Sequence, residues 1–535
     1  MGAERGLHTA GRIGKFLRKI SFSGIKITHK IRLHELDRIL HDVKRGHPRL
    51  TFAAGMMMKL VLGTVLMLAI LLPANAQTGV RGGTTRAPGV ETSSFERFGK
   101  VTIYRQTPNP SRVVLFVSGD GGWNLGVVDM ALKIAALDAL VVGIDITRYL
   151  KALAAATEPC VYVAADLETL SQFIQKRFAF PRYQTPVLVG YSSGATLVYA
   201  ALVEAPAGTF LGAVSLGFCP DLQLSKPMCR GQGLAWDPDP KRRGVVFRPS
   251  STLQTPWIAL LGTMDKVCNP EQTEVFVKSV RNGSIILLPK VGHGFAVPKN
   301  WLPQFQQAVA SMLEKPGPVR KLDVPEIADL PIVEMPARDQ PSDVLAVILS
   351  GDGGWAGLDR DIGTQLSSRG TAVVGIDSLR YFWTRRSPEE AASDLQRVLG
   401  HYLQAWGKSR VALIGYSIGA EVLPFMADRL PKEMLERVRL VAMLGASPSA
   451  DFEFHLTEWL GLPSGDLSLP VLPEVRKLKG VRILCVQGSE ERDSLCRSLS
   501  PAEAQVITFK GGHHFGGDYK SIADAILQAL RPPSP

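Results

Sequence analysis

The sequence predicts two α/β domains in tandem, each built around a mostly parallel, doubly wound sheet. The same series of motifs occurs twice, and short apolar runs alternate with helical stretches within each copy. Runs such as 113–118, 140–144 and 187–189 are almost continuously apolar, which is typical of strands buried on both faces of a parallel sheet. The stretches 164–177 and 389–406 have the length and composition of crossover helices.

Four motifs recur in the same order along the chain. They are SGDGGW (ending at Trp123 and Trp355), GID-x-x-RY (Tyr149 and Tyr381), GYS-x-G (Gly194 and Gly419) and GH-x-F (Phe295 and Phe515). The offset between the copies is 232 residues at the first two motifs, 225 at the third and 220 at the fourth. So small a drift predicts two homologous domains, 95–313 and 343–531. The six prolines of residues 314–342 predict an extended linker between them.

The positive charge of the chain is concentrated at its start. The 535 residues carry a net charge of +12, from 61 basic and 49 acidic residues, but residues 1–76 alone hold 13 basic and 4 acidic ones. The rest of the chain is nearly neutral, so its composition argues against nucleic acid as the partner.

An export signal is predicted at residues 56–76. Three methionines and Lys59 precede an apolar run over 60–72, and an A-x-A site that ends at Ala76 follows it. The run is shorter than the roughly 20 apolar residues that span a membrane, so we expect cleavage after Ala76 and a periplasmic protein. An uncleaved anchor is the alternative. Residues 1–55 are either untranslated, with a start at one of the methionines, or a basic extension.

Six cysteines are compatible with an exported protein, in which disulfides form. Cys219 and Cys229 flank one short loop, and Cys485 and Cys496 flank another, so each is a candidate local pair, although spacing does not prove pairing. The cysteines and histidines do not show the spacing of a metal site. We therefore expect neither a metal nor a cofactor.

The two G-x-S-x-G motifs predict serine nucleophiles at Ser192 and Ser417. Each motif follows an apolar strand and precedes a helical stretch, which is the context in which an α/β-hydrolase-like domain exposes its serine at the carboxyl edge of the sheet. The alternative is a glycine-rich turn without catalysis. A serine hydroxyl needs a histidine base, which an acid orients.

Chain order in this fold places the acid and then the histidine after the serine. His293 and His513 occupy matching turns late in the two copies, and Asp265 follows the apolar run 257–261. In the second copy, alignment on the glycine favours Glu491, whereas alignment on Cys268 and Cys496 favours Asp493. We prefer Asp493, with Glu491 as the alternative acid; the other carboxylate is then a solvated loop charge.

The GDGGW loops follow the strand after which such domains keep a second oxyanion-hole amide. The predicted oxyanion-hole residues are Asp120, Gly121 and Ser193 in the first copy and Asp352, Gly353 and Ile418 in the second. A phosphate-binding loop is the rival interpretation, but the Walker pattern is missing from the sequence. Asp377, Arg380 and Tyr381, which repeat Asp145, Arg148 and Tyr149, either read a charged substrate or form a structural Asp–Arg pair.

The motif series resembles the AcvB/VirJ family of bacterial virulence proteins. The resemblance covers residues 95–530 in two copies, as in the longer AcvB type. It implies a periplasmic enzyme that hydrolyses lysyl-phosphatidylglycerol, releasing lysine, so that the partner is an aminoacylated phospholipid headgroup at the periplasmic face of the inner membrane. It also implies that the second copy, which corresponds to single-domain VirJ, holds the working site: Ser417, Asp493 and His513.

The lysyl group would need an anionic recognition point, for which Asp352 and Asp377 are candidates. Two other functions remain open from the sequence. One is a non-catalytic accessory protein that assists secretion and contacts secretion-system proteins. The other is an esterase for a different ester.

Overall fold

A computed structural model describes residues 89–231, 233–240, 243–315, 324–338, 341–454 and 468–531. The predicted basic extension, the signal segment 56–76, its cleavage site and residues 316–323 of the predicted linker lie outside these ranges. Two large sheets, both within the compact unit Gly83–Pro535, organise the described part. Among the described residues, no helix is both long and apolar enough to span a bilayer.

The first sheet has eight strands in the order β1-β2-β4-β3-β5-β6-β10-β11. β1 and β2 are antiparallel additions at one edge, and the six strands from β4 to β11 run parallel. A small separate sheet has the order β7-β9-β8. The strands are β1 (Gly89–Phe95), β2 (Gly99–Arg105), β3 (Arg112–Val117), β4 (Ala139–Ile144), β5 (Val187–Tyr191), β6 (Gly212–Leu216), β7 (Asp221–Leu222), β8 (Trp236–Pro238), β9 (Val245–Phe247), β10 (Trp257–Gly262) and β11 (Gly283–Leu288).

Six helices accompany the first sheet. They are α1 (Leu125–Ala135), α2 (Ile146–Ala154), α3 (Val163–Arg177), α4 (Ser193–Glu204), α5 (Pro270–Lys278) and α6 (Leu302–Leu313). Alternate residues of β3 enter different apolar clusters: Leu115 and Val117 belong to one, Val114 and Phe116 to the other. Both faces of the sheet are therefore buried, which explains the unbroken apolar runs in the sequence.

The second sheet repeats this plan with seven strands in the order β12-β14-β13-β15-β16-β19-β20. All neighbours are parallel except the β12–β14 pair. Its strands are β12 (Ile332–Met335), β13 (Val344–Leu349), β14 (Ala372–Ile376), β15 (Arg410–Tyr416), β16 (Val438–Leu444), β19 (Arg482–Gly488) and β20 (Gln505–Phe509). The short strands β17 (Ser449–Ala450) and β18 (Leu469–Pro470) form a separate antiparallel pair. The helices are α7 (Gly357–Ser367), α8 (Ser378–Tyr381), α9 (Pro388–Ala405), α10 (Ile418–Asp428), α11 (Lys432–Leu435), α12 (Val471–Lys477) and α13 (Tyr519–Ala529).

The predicted fold class, two α/β-hydrolase-like units with mostly parallel sheets, is confirmed. The edges of the units differ from the sequence-based boundaries. The first sheet starts at Gly89 rather than at residue 95, and β12 lies inside the predicted linker 314–342 while pairing with β14. An edge strand exposes one side to solvent, so its pattern is too short and too polar to be distinguished from a linker.

Three disulfides join the six cysteines, and one predicted pair is wrong. Cys485 bonds Cys496 as predicted, but Cys219 bonds Cys268 and Cys229 bonds Cys160. The backbone of Cys229 donates to the carbonyl of Val161, which holds Cys229 beside Cys160. Contacts between distant segments, rather than the loop between Cys219 and Cys229, therefore determine the pairing.

Candidate active site

Both serines sit at a strained strand-to-helix turn. Ser192, between β5 and α4, has φ 55° and ψ −123°, and Ser417, between β15 and α10, has φ 52° and ψ −125°. Positive φ is costly for a residue with a β-carbon. A β-carbon on Gly194 would lie 2.3 Å from the carbonyl oxygen of Ser118, so only glycine permits this close turn. The bend points the serine outward at the carboxyl end of its strand.

In the first half, the three predicted residues form a hydrogen-bonded chain. Ser192 Oγ lies 2.9 Å from His293 Nε2, and His293 Nδ1 lies 2.8 Å from Asp265 Oδ2. The side chain of Asp265 is fully buried, and its other oxygen accepts from the backbone N–H groups of Val267 and Cys268 at 2.8 and 2.9 Å. This arrangement can take a proton from the serine and orient the imidazole that receives it.

In the second half, His513 Nδ1 lies 2.6 Å from Glu491 Oε1, and the backbone N–H of Gly488 donates to Glu491 Oε2. Ser417 and His513 line the same cavity. Among the described residues, no hydrogen bond joins the Ser417 hydroxyl to His513. Because Nδ1 is held by the carboxylate, Nε2 is the nitrogen available to the serine.

The preference for Asp493 as the second acid is corrected. Asp493 is exposed, while the alternative, Glu491, contacts His513. The cysteine alignment misled because the cysteines are not equivalent: Cys268 bonds Cys219 beyond β6, whereas Cys496 bonds Cys485 of the strand that precedes its own loop. The glycine alignment was the better guide, since Gly488 ends β19 as Gly262 ends β10.

Two further features position the histidines. The tyrosine of each GYS-x-G motif donates to a histidine backbone: Tyr191 to the carbonyl of His293 at 3.1 Å, and Tyr416 to that of His513 at 3.3 Å. Gly445, with φ 62°, passes so close to His513 that a β-carbon would lie 2.9 Å from the ring. The tyrosine recurs in both GYS-x-G motifs, and this recurrence could have indicated its role from the sequence.

The oxyanion-hole candidates lie beside the serines. Asp352 and Ile418 line the cavity that contains Ser417. Gly119 and Gly351 precede Asp120 and Asp352 and lie close to the serines. A β-carbon placed on Gly119 would be 3.0 Å from the Cβ atom of Ser192, and one placed on Gly351 would be 3.5 Å from the Cβ atom of Ser417. The roles of Asp120, Gly121, Ser193, Asp352, Gly353 and Ile418 as oxyanion-hole residues remain predictions.

The substrate-reading alternative for Asp377, Arg380 and Tyr381 is wrong. The Asp377 side chain is fully buried, pairs with Arg380 and caps α8 by accepting from its backbone. Tyr381 is buried and donates to Asp394 at 2.6 Å, and Arg380 also donates to Thr185 of the first half. The structural Asp–Arg pair, which the sequence left open, is the observed arrangement.

The second site opens into an acidic cavity of about 150 Å³. Four carboxylates line it together with Ser417 and His513: Asp352, Glu421, Asp451 and Glu453. Of these, only Asp352 was a candidate from the sequence. Glu421 is on α10, one turn after the serine, and Asp451 and Glu453 follow β17 in a segment that has no counterpart among the repeated motifs. Local patterns therefore had no means of placing them at the site.

Comparison with known proteins places the chain in a family. The sequence model described as "Bacterial virulence protein (VirJ)" matches residues 111–210 and 343–533, which together exceed half of the chain. The chain belongs to the VirJ family of bacterial virulence proteins. The second segment spans the whole second sheet except β12, and the first covers β3 to β5 with the serine turn. A search among curated proteins finds no match.

Solved hydrolases that are similar to this VirJ-family chain cover less than half of it. An esterase domain from Rhodothermus marinus is 15% identical, with 42% of this chain and 97% of that chain covered and a TM-score of 0.30. A serine hydrolase without a lid from Xanthomonas campestris is 16% identical, with 45% and 100% covered and a TM-score of 0.29. Naproxen esterase from Bacillus subtilis is 16% identical, with 37% and 87% covered and a TM-score of 0.28.

The charges of the second site alter the basicity of its histidine. Burial by itself would lower the pKa of His513, but the hydrogen bond that its ring donates to Glu491 and the negative charges of Glu491, Asp352 and Glu421 outweigh it, so the pKa is raised above 6.5. Burial and the neighbouring His513 lower the pKa of His514. His513 is therefore the more basic imidazole of the adjacent pair.

Asp265, Cys268 and His293 lie close enough together to resemble a metal-binding group. The sulfur of Cys268 is bonded to Cys219, however, and Nδ1 of His293 is already on Asp265. A disulfide sulfur is not the thiolate that binds metals. In this VirJ-family chain the group is better described as the acid–histidine pair of the first site and the disulfide beside it.

Proposed function

We propose that this chain is an exported serine esterase whose second site cleaves the aminoacyl ester of lysyl-phosphatidylglycerol, releasing lysine and phosphatidylglycerol. One observation carries the proposal. The strained Ser417 shares a cavity with four carboxylates and with His513, which Glu491 holds, so a candidate nucleophile and an acidic surface occur in one site.

The residues of the second site can perform both halves of ester cleavage. His513 Nε2 would take the proton of Ser417 as the oxygen attacks the lysyl carbonyl, while Glu491 holds the opposite ring nitrogen. The backbone N–H of Ile418 and an amide of the GDGGW loop would stabilise the oxyanion. The protonated histidine then returns its proton to the departing glycerol oxygen, and water hydrolyses the lysyl-enzyme by the same route.

The acidic lining supports a cationic acyl group. A lysyl ester carries two ammonium groups, one beside the reacting carbonyl and one at the end of the lysyl side chain. An ammonium group loses hydration water when it enters a cavity, so it binds there only where opposite charges compensate for that loss. Glu421 accepts from the backbone of Ser447 at 3.2 Å, and Asp451 accepts from Ser468 at 2.9 Å, so both carboxylates are oriented. A neutral ester would gain nothing from this lining.

The disulfides support export to the periplasm, which is part of the same proposal. All six cysteines are paired in three disulfides, and such bonds persist in oxidising compartments rather than in the cytoplasm. A lipid headgroup on the periplasmic face of the inner membrane would be accessible there. The predicted signal segment and its cleavage after Ala76 are part of this proposal.

Separate serine variants test the proposal. We expect Ser417→Ala to lower the release of lysine from lysyl-phosphatidylglycerol in detergent micelles by at least about a thousandfold, because removal of the nucleophile leaves only binding and the oxyanion hole. Ser192→Ala, the matched variant in the first half, should retain most of this activity. Release of lysine is measured directly, and a neutral soluble ester is measured in parallel.

Other results would assign the function elsewhere. Loss of activity in Ser192→Ala alone would move the lipid chemistry to the first half. Cleavage of the neutral ester with no action on the lysyl lipid would indicate an esterase for another substrate. A deletion strain rescued fully by a chain lacking both serines would support the non-catalytic accessory function.

A further inference from the structure

Three exposed apolar side chains lie on the loops that carry the acid and the histidine of the first serine site. Met264 is 59% exposed, Val267 68% and Val297 45%; these three residues are called the apolar rim. Met264 and Val267 flank the acid Asp265, and Val297 follows His293 by four residues. The rim thus lies on the same two loops that carry the acid and the histidine.

The two loops form one continuous surface. They follow β10 and β11, which are neighbouring parallel strands, and the backbone N–H of Met264 donates to the carbonyl of Val291 at 2.9 Å. The His293 side chain, 17% exposed, bridges the two loops through its contact with Asp265. A flat object that covers the rim would therefore also cover the loops that carry Asp265 and His293.

The second half shows that the fold does not need an apolar rim. When Asp265 is matched with Glu491, Met264 corresponds to Glu490 and Val267 to Asp493, both exposed. The position of Val297 is occupied by Gly517. Two units with the same architecture thus differ at this place, where one has three exposed apolar side chains and the other has two acidic side chains and a glycine. Exposed apolar side chains that packing does not require indicate a binding surface.

Three lysines flank the apolar rim and identify the chemistry of its partner. Lys266, Lys290 and Lys299 are exposed on the same loops. The carboxylate of Asp265 is the only acidic group between residues 263 and 299 that lies on these loops, and it is buried against His293. Apolar side chains that insert at the acyl boundary, with lysines at the headgroup level, are the combination that binds anionic membranes.

We propose that the apolar rim and its three lysines dock the first half onto an anionic phospholipid bilayer. Met264 and Val297 would enter the interface, and the lysines would contact phosphate groups. The mouth of the first site would then face the lipid surface. This inference concerns binding and is independent of the ester chemistry proposed for the second site.

Vesicle binding by the exported protein tests the inference. The protein is purified after export, its N-terminus is determined by mass spectrometry, and it is sedimented with vesicles that contain or lack phosphatidylglycerol. We expect Met264→Ser/Val297→Ser to weaken binding at least fivefold, since burial of each side chain contributes to affinity. Lys266→Gln/Lys290→Gln/Lys299→Gln should weaken it further, by about fivefold per lysine, and added salt should weaken the wild type.

A matched control is available in the same chain. Val90→Ser/Val506→Ser removes two exposed apolar side chains away from the rim; Val90 is 59% exposed on β1, at the opposite edge of the first sheet from β11. This variant should bind as the wild type does. Thermal unfolding of each variant establishes that the fold is retained.

Several results would overturn the inference. Equal binding by the rim variant and the wild type is one, and equal binding to vesicles without phosphatidylglycerol is another. A change from dimer to monomer in the rim variant, with no change in sedimentation, would assign the surface to a second copy of the chain. The micelle assay of lysine release does not require docking. Absence of lysine release by the wild-type protein in that assay would contradict the proposed function and leave this inference intact.

Discussion

At the scale of single residues, the two serine sites hold their histidines in the same way but with different acids. Asp265 is fully buried and receives two backbone N–H bonds, whereas Glu491 reaches His513 with a side chain one methylene longer. In each case the carboxylate holds Nδ1 and leaves Nε2 to the serine. In each half the acid is the third residue after the glycine that ends the strand, and either aspartate or glutamate serves at that position.

Replacement of Glu491 should change both rate and pH dependence. In a Ser192→Ala background with a neutral ester, kcat/KM should rise with pH through a midpoint above 6.5, because His513 must be neutral to accept a proton and its pKa is raised. Glu491→Gln removes the negative charge, so the midpoint should move to lower pH while kcat falls about 100- to 10,000-fold through lost orientation.

The matched control is Asp493→Asn in the same loop. Asp493 is exposed, so its pH–rate profile should coincide with that of the parent protein. If Asp493→Asn shifted the midpoint and Glu491→Gln did not, the assignment of the acid would be wrong.

At the scale of elements, the first two repeated motifs of each half pack against each other. The tryptophan of GDGGW lies over the glycine of GID: a β-carbon on Gly375 would come within 2.3 Å of the Trp355 ring, and one on Gly143 within 2.1 Å of Trp123. The aspartate of the second motif caps the following helix and faces Gly354. The strand β14 and the loop after β13 thus position each other beside the serine.

Gly375→Ala should destabilise the protein. The added methyl group has no room beneath Trp355, and such overpacking typically costs about 1–3 kcal/mol of unfolding free energy. Gly400→Ala is the control, because Gly400 lies inside α9 and its nearest contact for a β-carbon is Met434 at 3.8 Å. It should be neutral or stabilise by up to about 1 kcal/mol. Urea unfolding of both variants measures the difference, and equal effects would contradict this explanation of the repeated glycine.

At the scale of the whole molecule, the first half supports the wall of the second cavity. Lys176 of α3 lies 3.5 Å from Glu453 and donates to the carbonyl of Trp383 at 2.7 Å. The Trp383 indole donates to the carbonyl of Phe180 at 2.7 Å and stacks on Phe454, with ring centroids 5.8 Å apart. Glu453 and Phe454 line the cavity, so contacts between the halves hold part of the second site.

Trp383→Ala should therefore affect the second site from a distance. We expect a loss of about 3–5 kcal/mol of stability, as for other buried tryptophans, together with a raised KM for lysyl-phosphatidylglycerol. Trp406→Ala is the control, since Trp406 packs on Tyr402 within the second half alone, with ring centroids 4.7 Å apart. It should lower stability without changing KM. Steady-state kinetics and calorimetry distinguish the two, and an unchanged KM in Trp383→Ala would remove the supporting role.

The sequence by itself determined the features that depend on short stretches of chain. The repeated motifs, the apolar runs and the G-x-S-x-G turns predicted two parallel sheets and the positions of Ser192, Ser417, His293 and His513, because strand periodicity and a tight turn are set by a few neighbouring residues. The Cys485–Cys496 disulfide could also be predicted, because these two cysteines flank one short loop.

The tertiary structure decided what depends on distant segments meeting. It assigned Glu491 rather than Asp493 to His513, joined Cys219 to Cys268, and brought Asp451 and Glu453 to the cavity of Ser417. It also buried Asp377 against Arg380, which motif recurrence alone could not distinguish from a substrate contact. Such pairings follow from packing over the whole chain, and no local pattern records which side chains that packing brings together.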